Sequence, residues 1–153
     1  MIVDDNFEFL RSAARFLATD PRILVVGLAL SGSEALLQMT RLRPDLVLMD
    51  IAMPQMNGLE VTRSLKLRFH APHIVILTHY DTIDYRNAAS AAGADGFIPK
   101  SEFGAEVLPL IHSLLGALPS NVEFPSANLV MGQERLHHDI PVECTPGRGM
   151  TSE

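Results

Sequence analysis

The chain has a single cysteine, Cys144, and no tryptophan in 153 residues. One thiol cannot close an internal disulfide, so stability has to come from a buried apolar core, and such cysteine usage fits a reducing, cytoplasmic compartment. Clustered positive charge is also scarce: 12 Lys and Arg stand against 18 Asp and Glu, a formal net charge of -6. Binding a phosphate backbone needs concentrated Lys and Arg, so direct nucleic-acid binding is not expected. Arg41 with Arg43, and Arg63 with Lys66 and Arg68, are spaced as solvated helix faces. No apolar run approaches the roughly 20 residues of a membrane span. The opening Met1-Ile2-Val3-Asp4-Asp5 carries no basic region leading an apolar core, so no secretory signal is expected. At this length the chain suits one domain with a sizeable core.

What the chain does have is an alternation of short apolar runs with longer amphipathic ones. Ile2-Val3 is a fragment of strand. A helix is predicted over 7–18, with Phe7, Leu10, Ala14 and Leu17 inward and Asp5 with Glu8 as a capping box. The second strand is predicted over 23–27. Ser31 or Ser33 starts a helix with Ala35, Leu36 and Met39 on its apolar face, closed by Pro44. A buried strand then runs to Asp50 and enters a Pro/Asn/Gly turn. A helix over 58–69 follows, with Leu59, Thr62, Leu65 and Phe69 inward. The fourth strand covers 73–78, and an Ala-rich helix runs from about 82 to 92, where Gly93 stops it. The fifth strand covers 95–100. The last helix is expected from near Ala105 to Gly116, because Pro109 suits only a first turn. Such an alternation predicts an α/β fold, a parallel sheet covered on both faces.

Polar residues recur at one end of these strands. Asp4 and Asp5 follow the first, Asp50 ends the third, Thr78 ends the fourth and Lys100 follows the fifth. Parallel strands place all of them at the carboxyl edge, where open α/β sheets bind ligands. Taken singly, each has a plain structural role as a cap, a β-branched strand residue or a surface charge. Their joint placement is what points to chemistry. Three carboxylates within about 4 Å repel by roughly 4 kcal/mol per pair at an effective dielectric near 20, so the site calls for a cation. Magnesium takes oxygen ligands and commonly bridges carboxylates to a phosphoryl group. A carboxylate can itself attack phosphorus, and Lys100 and the Thr78 hydroxyl suit the equatorial phosphoryl oxygens.

These motifs, Val3-Asp4-Asp5-Asn6, Leu48-Met49-Asp50-Ile51-Ala52-Met53-Pro54 with Gly58, Leu77-Thr78, and Gly93-Ala94-Asp95-Gly96-Phe97-Ile98-Pro99-Lys100-Ser101, resemble the receiver domain of bacterial two-component response regulators. The last of them is most similar to receivers of the LuxR/NarL class. The resemblance implies a flavodoxin-like sheet of order 2-1-3-4-5 with five helices. It implies that Asp50 accepts a phosphoryl group from a histidine kinase or phosphotransfer protein, and that Asp4, Asp5, Asp50 and the Ala52 carbonyl hold Mg2+. Lys100 would contact the phosphoryl oxygens. Thr78 would turn toward the phosphate and draw Phe97 inward, remodelling a face of helix four, strand five and helix five that can serve homodimerisation. Ala52 and Tyr80 would flank the site where the family tunes phosphate lifetime. Such a domain is no enzyme beyond its own magnesium-dependent phosphorylation and dephosphorylation.

Departures from the pattern are specific. Only Met1 to Val3 precede the acidic pair, about 10 Å of strand where 17 to 20 Å is usual. Such a shortened first strand implies a start further upstream or a less stable receiver. His79 follows the switch threonine where the family has a small residue, and is expected to narrow access to Asp50. Phe97 stands where the family often has Tyr. The receiver is expected over 1–118 and a flexible Pro/Gly-containing tail without an effector domain over 119–153, since no basic recognition helix follows. His137, His138, Asp139 and Cys144 have no tight metal-site spacing. The alternative function is a LuxR-type transcription regulator lacking its DNA-binding domain. A haloacid-dehalogenase-type hydrolase is disfavoured, because Ala52 and Met53 occupy the places of its second Asp and following Thr.

Overall fold

The structure, a computed structural model, describes residues 1–116. The expected boundary at 118 and the tail beyond it lie outside the described residues. Five parallel strands form one sheet of order β2-β1-β3-β4-β5: β1 Ile2–Val3, β2 Leu28–Ala29, β3 Leu46–Asp50, β4 His73–Thr78 and β5 Gly96–Pro99. The connecting helices are α1 Phe7–Leu17, α2 Gly32–Leu42, α3 Gly58–Lys66 and α4 Ile83–Ala91. A single 3₁₀ turn, Lys100–Glu102, leads into α5 Phe103–Leu115. This is the expected flavodoxin-like arrangement with a short first strand.

Strand alternation divides the core into two layers. Val47, Met49, Ile74 and Ile76 face α2, α3 and α4, meeting Ala35, Met39, Leu59, Leu65 and Ala89. Leu48, Val75, Leu77 and Ile98 face α1 and α5, meeting Leu10, Ala13, Leu17, Phe103 and Ile111. Because both faces are covered, β3 is buried at every position and reads as a continuous apolar run. Among the described residues no helix is long and apolar enough to cross a membrane.

Several expectations are corrected. The second strand is Leu28–Ala29, not 23–27. β1 pairs with it only at Ile2↔Leu28 and Val3↔Ala29, and the Ile2 N–H to Gly27 carbonyl bond of 3.0 Å is the last contact of that ladder toward the amino end. Residues 23–26 therefore run alongside a place where β1 has no residues, and a strand without a partner is not a strand. Leu24 is left 81% exposed. Beside it lies a cavity of about 330 Å³ lined by Ile2, Leu17, Val25, Leu46, Leu48 and Ile111. The Met1 amino group is buried there, donating to the Leu46 carbonyl at 3.0 Å.

The α1 cap is Asn6, whose side chain accepts from the Glu8 and Phe9 N–H groups, rather than Asp5. Phe7 is exposed, and the inward stripe is Leu10, Ala13 and Leu17. α3 ends at Lys66, leaving Phe69 95% exposed rather than inward. A strong amino-terminal cap at Asn57 is matched by no comparable stop at the other end, so apolar content alone misplaced the boundary. Pro109 sits in the middle of α5, not in its first turn. It lies on the exposed side, where water can satisfy the carbonyl whose helical partner proline removes.

Candidate functional site

β3 delivers Asp50 to the carboxyl edge, 3% exposed. Gly58 holds the strand end in place. A Cβ at Gly58 would lie 1.9 Å from the Asp50 carbonyl oxygen, so only glycine lets α3 start this close, and its N–H donates to the Ile51 carbonyl at 3.0 Å. Asn57 caps α3 in a reciprocal box with Glu60, which fixes the loop between Asp50 and the helix. Gln55 in that loop has φ of 67°, a left-handed conformation uncommon outside glycine and asparagine.

Asp4 follows β1 directly, is fully buried and accepts from the Asn6 N–H at 3.0 Å through Oδ1. Because Asn6 does the capping, the exposed Asp5 carboxylate is left for the site. Asp4, Asp5 and Asp50 each present an oxygen within 4.8 Å of the others. Lys100 comes from the 3₁₀ turn after β5, its Nζ 2.6 Å from Asp4 Oδ2 and 2.9 Å from Asp50 Oδ1. Lys100 is thus ion-paired with one oxygen of each buried carboxylate.

Burial pushes the Asp50 carboxyl upward, Lys100 opposes this, and Asp4 and Asp5 add to the rise, which leaves it above its ordinary value. Burial alone would lower Lys100, but its bonds to Asp4 and Asp50 outweigh that and hold it above its ordinary value. Even with Lys100 protonated, the cluster keeps an excess of negative charge. The donor set is all oxygen, three carboxylates that bring their oxygens within 4.8 Å of one another, and among the described residues the Ala52 carbonyl accepts no backbone bond. This set fits Mg2+.

Sequence reasoning missed Phe9. The Lys100 Nζ lies 4.7 Å from its ring centroid, and Phe9 packs edge-on against Phe103, as Phe16 does. The seven-residue spacing of Phe9 and Phe16 was the available signal, a second stripe on α1 beside the aliphatic one. Thr78 is 2% exposed, and its hydroxyl accepts from the Tyr80 N–H at 3.1 Å, so it is engaged by its own loop. His79 and Tyr80 are exposed on that loop and make no hydrogen bond or ion pair to the carboxylates. Phe97 is half-buried on β5 opposite Ile76, with the Arg86 guanidinium 4.6 Å over its ring. The structure thus gathers Asp4, Asp5, Asp50 and Lys100 at one point, with Thr78 and Phe97 on the neighbouring strands.

Residues 1–111 match the family described as the response regulator receiver domain. A protein-glutamate methylesterase/protein-glutamine glutaminase of Nocardioides sp. is 37% identical over 105 residues, 65% of this chain and 28% of that protein. The transcriptional regulatory protein LiaR of Bacillus subtilis is 26% identical over 164 aligned residues, spanning 100% of this chain and 78% of LiaR. Among solved structures, a LuxR-family two-component response regulator from Aurantimonas sp. is similar with a TM-score of 0.71 and 31% identity, over 75% of this chain and 82% of that one. The receiver domain of the response regulator NarL from Mycobacterium tuberculosis gives 0.66 at 27% identity, over 75% and 94%.

Proposed function

Because the chain belongs to the response regulator receiver domain family, we propose that it accepts a phosphoryl group on Asp50 from a histidine kinase or phosphotransfer protein and thereby switches a protein-binding surface. The observation that supports this best is the buried Asp50 carboxylate, 2.9 Å from Lys100 and clustered with Asp4 and Asp5. An Asp50 oxygen attacks phosphorus as the bond to the donor nitrogen breaks, and the donor imidazole, protonated on its other ring nitrogen, leaves neutral. Lys100 orients the carboxylate beforehand through Oδ1 and stays within reach of the phosphoryl oxygens. Asp4, Asp5, Asp50 and the Ala52 carbonyl would hold Mg2+, which supplies the positive charge that offsets the phosphoryl oxygens. The Thr78 hydroxyl, once released by the Tyr80 N–H, donates to a phosphoryl oxygen, and Phe97 follows. Water later attacks the phosphorus of the aspartyl phosphate, which releases inorganic phosphate and returns the carboxylate. No other catalysis is assigned to the domain.

The switched surface is the face of α4, β5 and α5, and its partner is another protein or a second copy of the chain. A second reading, a transcription regulator of the LuxR type, is favoured by the LuxR-family likeness and by the alignment with LiaR. Incubation with acetyl phosphate and magnesium, followed by intact-mass measurement, tests the main reading. A magnesium-dependent phosphoryl adduct that vanishes in Asp50→Asn is expected. A wild type that gains nothing from acetyl phosphate or a cognate kinase would overturn it.

A further inference from the structure

Arg86 has no part in the chemistry just described, yet it touches both moving parts of the switch. Its Nε and Nη2 donate to Asp81 Oδ1 at 2.6 Å and Oδ2 at 2.9 Å, a two-pronged ion pair. The face of the same guanidinium covers the Phe97 ring, with Cζ 4.6 Å from the centroid. Asp81 lies in the loop between β4 and α4, three residues after Thr78 and ahead of the Thr82 cap. The pair is therefore not a helical i, i+4 contact. In this structure it coexists with the loop conformation in which the Thr78 hydroxyl accepts from the Tyr80 N–H. Tyr80 stacks on Tyr85 of α4 at 6.2 Å, which adds a second tie between loop and helix. Glu106 on α5 also attracts the guanidinium.

For Thr78 to reach a phosphoryl group on Asp50, its hydroxyl must leave the Tyr80 N–H, and the residues from His79 to Thr82 must shift with it. Asp81 moves with them, and the guanidinium can no longer hold the loop by its edge and Phe97 by its face. We propose that Arg86 is a positioning residue that latches the unphosphorylated state, restraining the Thr78 loop through Asp81 and the switch ring through Phe97. A planar guanidinium can make both contacts at once, whereas an ammonium cannot make a fork and a stacked face together. The latch also accounts for how a phenylalanine, which has no hydroxyl to anchor it, is held before activation. This inference rests on Asp50 being the phosphoacceptor.

The test compares wild type with Arg86→Ala, Arg86→Lys, Asp81→Asn and the Asp81→Asn/Arg86→Ala double variant in the full chain. Phosphorylation by acetyl phosphate with magnesium is followed by intact mass, and exchange of the Tyr80 amide by NMR. Arg86→Ala is expected to phosphorylate about three- to tenfold faster, the scale of one exposed cation–π contact with one exposed ion pair, and Asp81→Asn and Arg86→Lys to show a smaller acceleration, about twofold. The double variant is expected to gain little beyond Arg86→Ala, because both substitutions release one latch. Tyr80 amide exchange is expected to accelerate severalfold in the same variants. Simple structural damage would not raise the phosphorylation rate. Unchanged or slower phosphorylation of an otherwise competent Asp50, gains that multiply in the double variant, or an Arg86→Lys protein behaving as wild type would each overturn the latch. If wild type takes no phosphoryl group at all, the phosphoacceptor reading fails separately, and unchanged Tyr80 exchange in Arg86→Ala then refutes the restraint itself.

Discussion

Adding three strand-forming residues such as Val and Ile ahead of Met1 should raise the melting temperature substantially. β1 pairs at only two positions, and the space where it would continue is the 330 Å³ cavity between residues 23–26 and the start of β3. By the pairing parity of β1, the Gly27 and Leu46 N–H groups point into this space, and among the described residues neither has a backbone partner. Three apolar side chains buried there contribute about 2 kcal/mol each. The completed ladder bonds add about 1 kcal/mol apiece. Ordering three residues costs about 2 kcal/mol each in backbone and side-chain entropy. With those two bonds a net gain of roughly 2 kcal/mol follows, which for a domain of this size is a rise of about 6 °C in Tm.

The same extension has a pH signature. Burial lowers the Met1 ammonium to about 6 from 8.0, with Asp45 opposing the shift. The unfolded chain then binds more protons than the folded one between those values, so stability of the 153-residue chain rises from pH 6 to pH 8 and is diminished below. The full swing is roughly 2–3 kcal/mol at about 1.4 per unit. An extension replaces the ammonium with a peptide N–H and should erase that slope. Calorimetry at pH 5.5 and 8.5 on the original chain, an apolar extension and a Gly/Ser extension of equal length separates the two effects. If the apolar extension stabilises no more than the Gly/Ser one, the cavity is not an unfilled strand position and the reasoning fails.

Three further outcomes are expected. Gly58→Ala places a Cβ 1.9 Å from the Asp50 carbonyl oxygen, so the strand end or α3 must move. A loss of roughly 2–3 kcal/mol in urea unfolding is expected, by analogy with overpacked cores, together with slower phosphorylation, and retention of both would show that the loop gives way freely. Asp20 is held well below the usual carboxylate range, chiefly by its hydrogen bonds with Arg22 and also by His112. Its contribution is present above about pH 4 and is lost as pH falls. Asp20→Asn should therefore lower Tm at pH 7 and flatten the acid limb of a Tm profile from pH 3 to 6, and a parallel profile would contradict this. His79→Ala should speed phosphorylation by acetyl phosphate, and an unaltered rate would remove His79 as a barrier to small donors.

The residues that gather at the sheet edge were legible because each is a polar group at the end of an apolar run, and parallel strands bring all such ends together. Element limits set by neighbours were not. Residues 23–27 have every local property of a strand, and only the length of β1 decides that Leu28 and Ala29 are the ones that pair. Asp5 and Asn6 are both good caps, and the choice between them turns on Asp4, whose Oδ1 takes the Asn6 N–H. The contacts of Phe9 and Arg86 were hidden for another reason. The seven-residue spacing of Phe9 and Phe16 marks a stripe on α1, but no spacing rule says that a ring face there meets Lys100 or that the Arg86 guanidinium plane meets Phe97 on another element.

The alternation of β3 has a consequence for how substitutions combine. Val47 and Leu48 share a peptide bond but pack into separate layers, the first with α2, α3 and α4 and the second with α1 and α5. Truncating both should cost close to the sum of the single losses, because no side chain is common to the two cavities. Pairs within one layer, such as Leu48 with Leu10, should depart from that sum. Each side of the sheet can therefore accumulate compensating changes on its own, and the five residues from Leu46 to Asp50 belong to two independent histories.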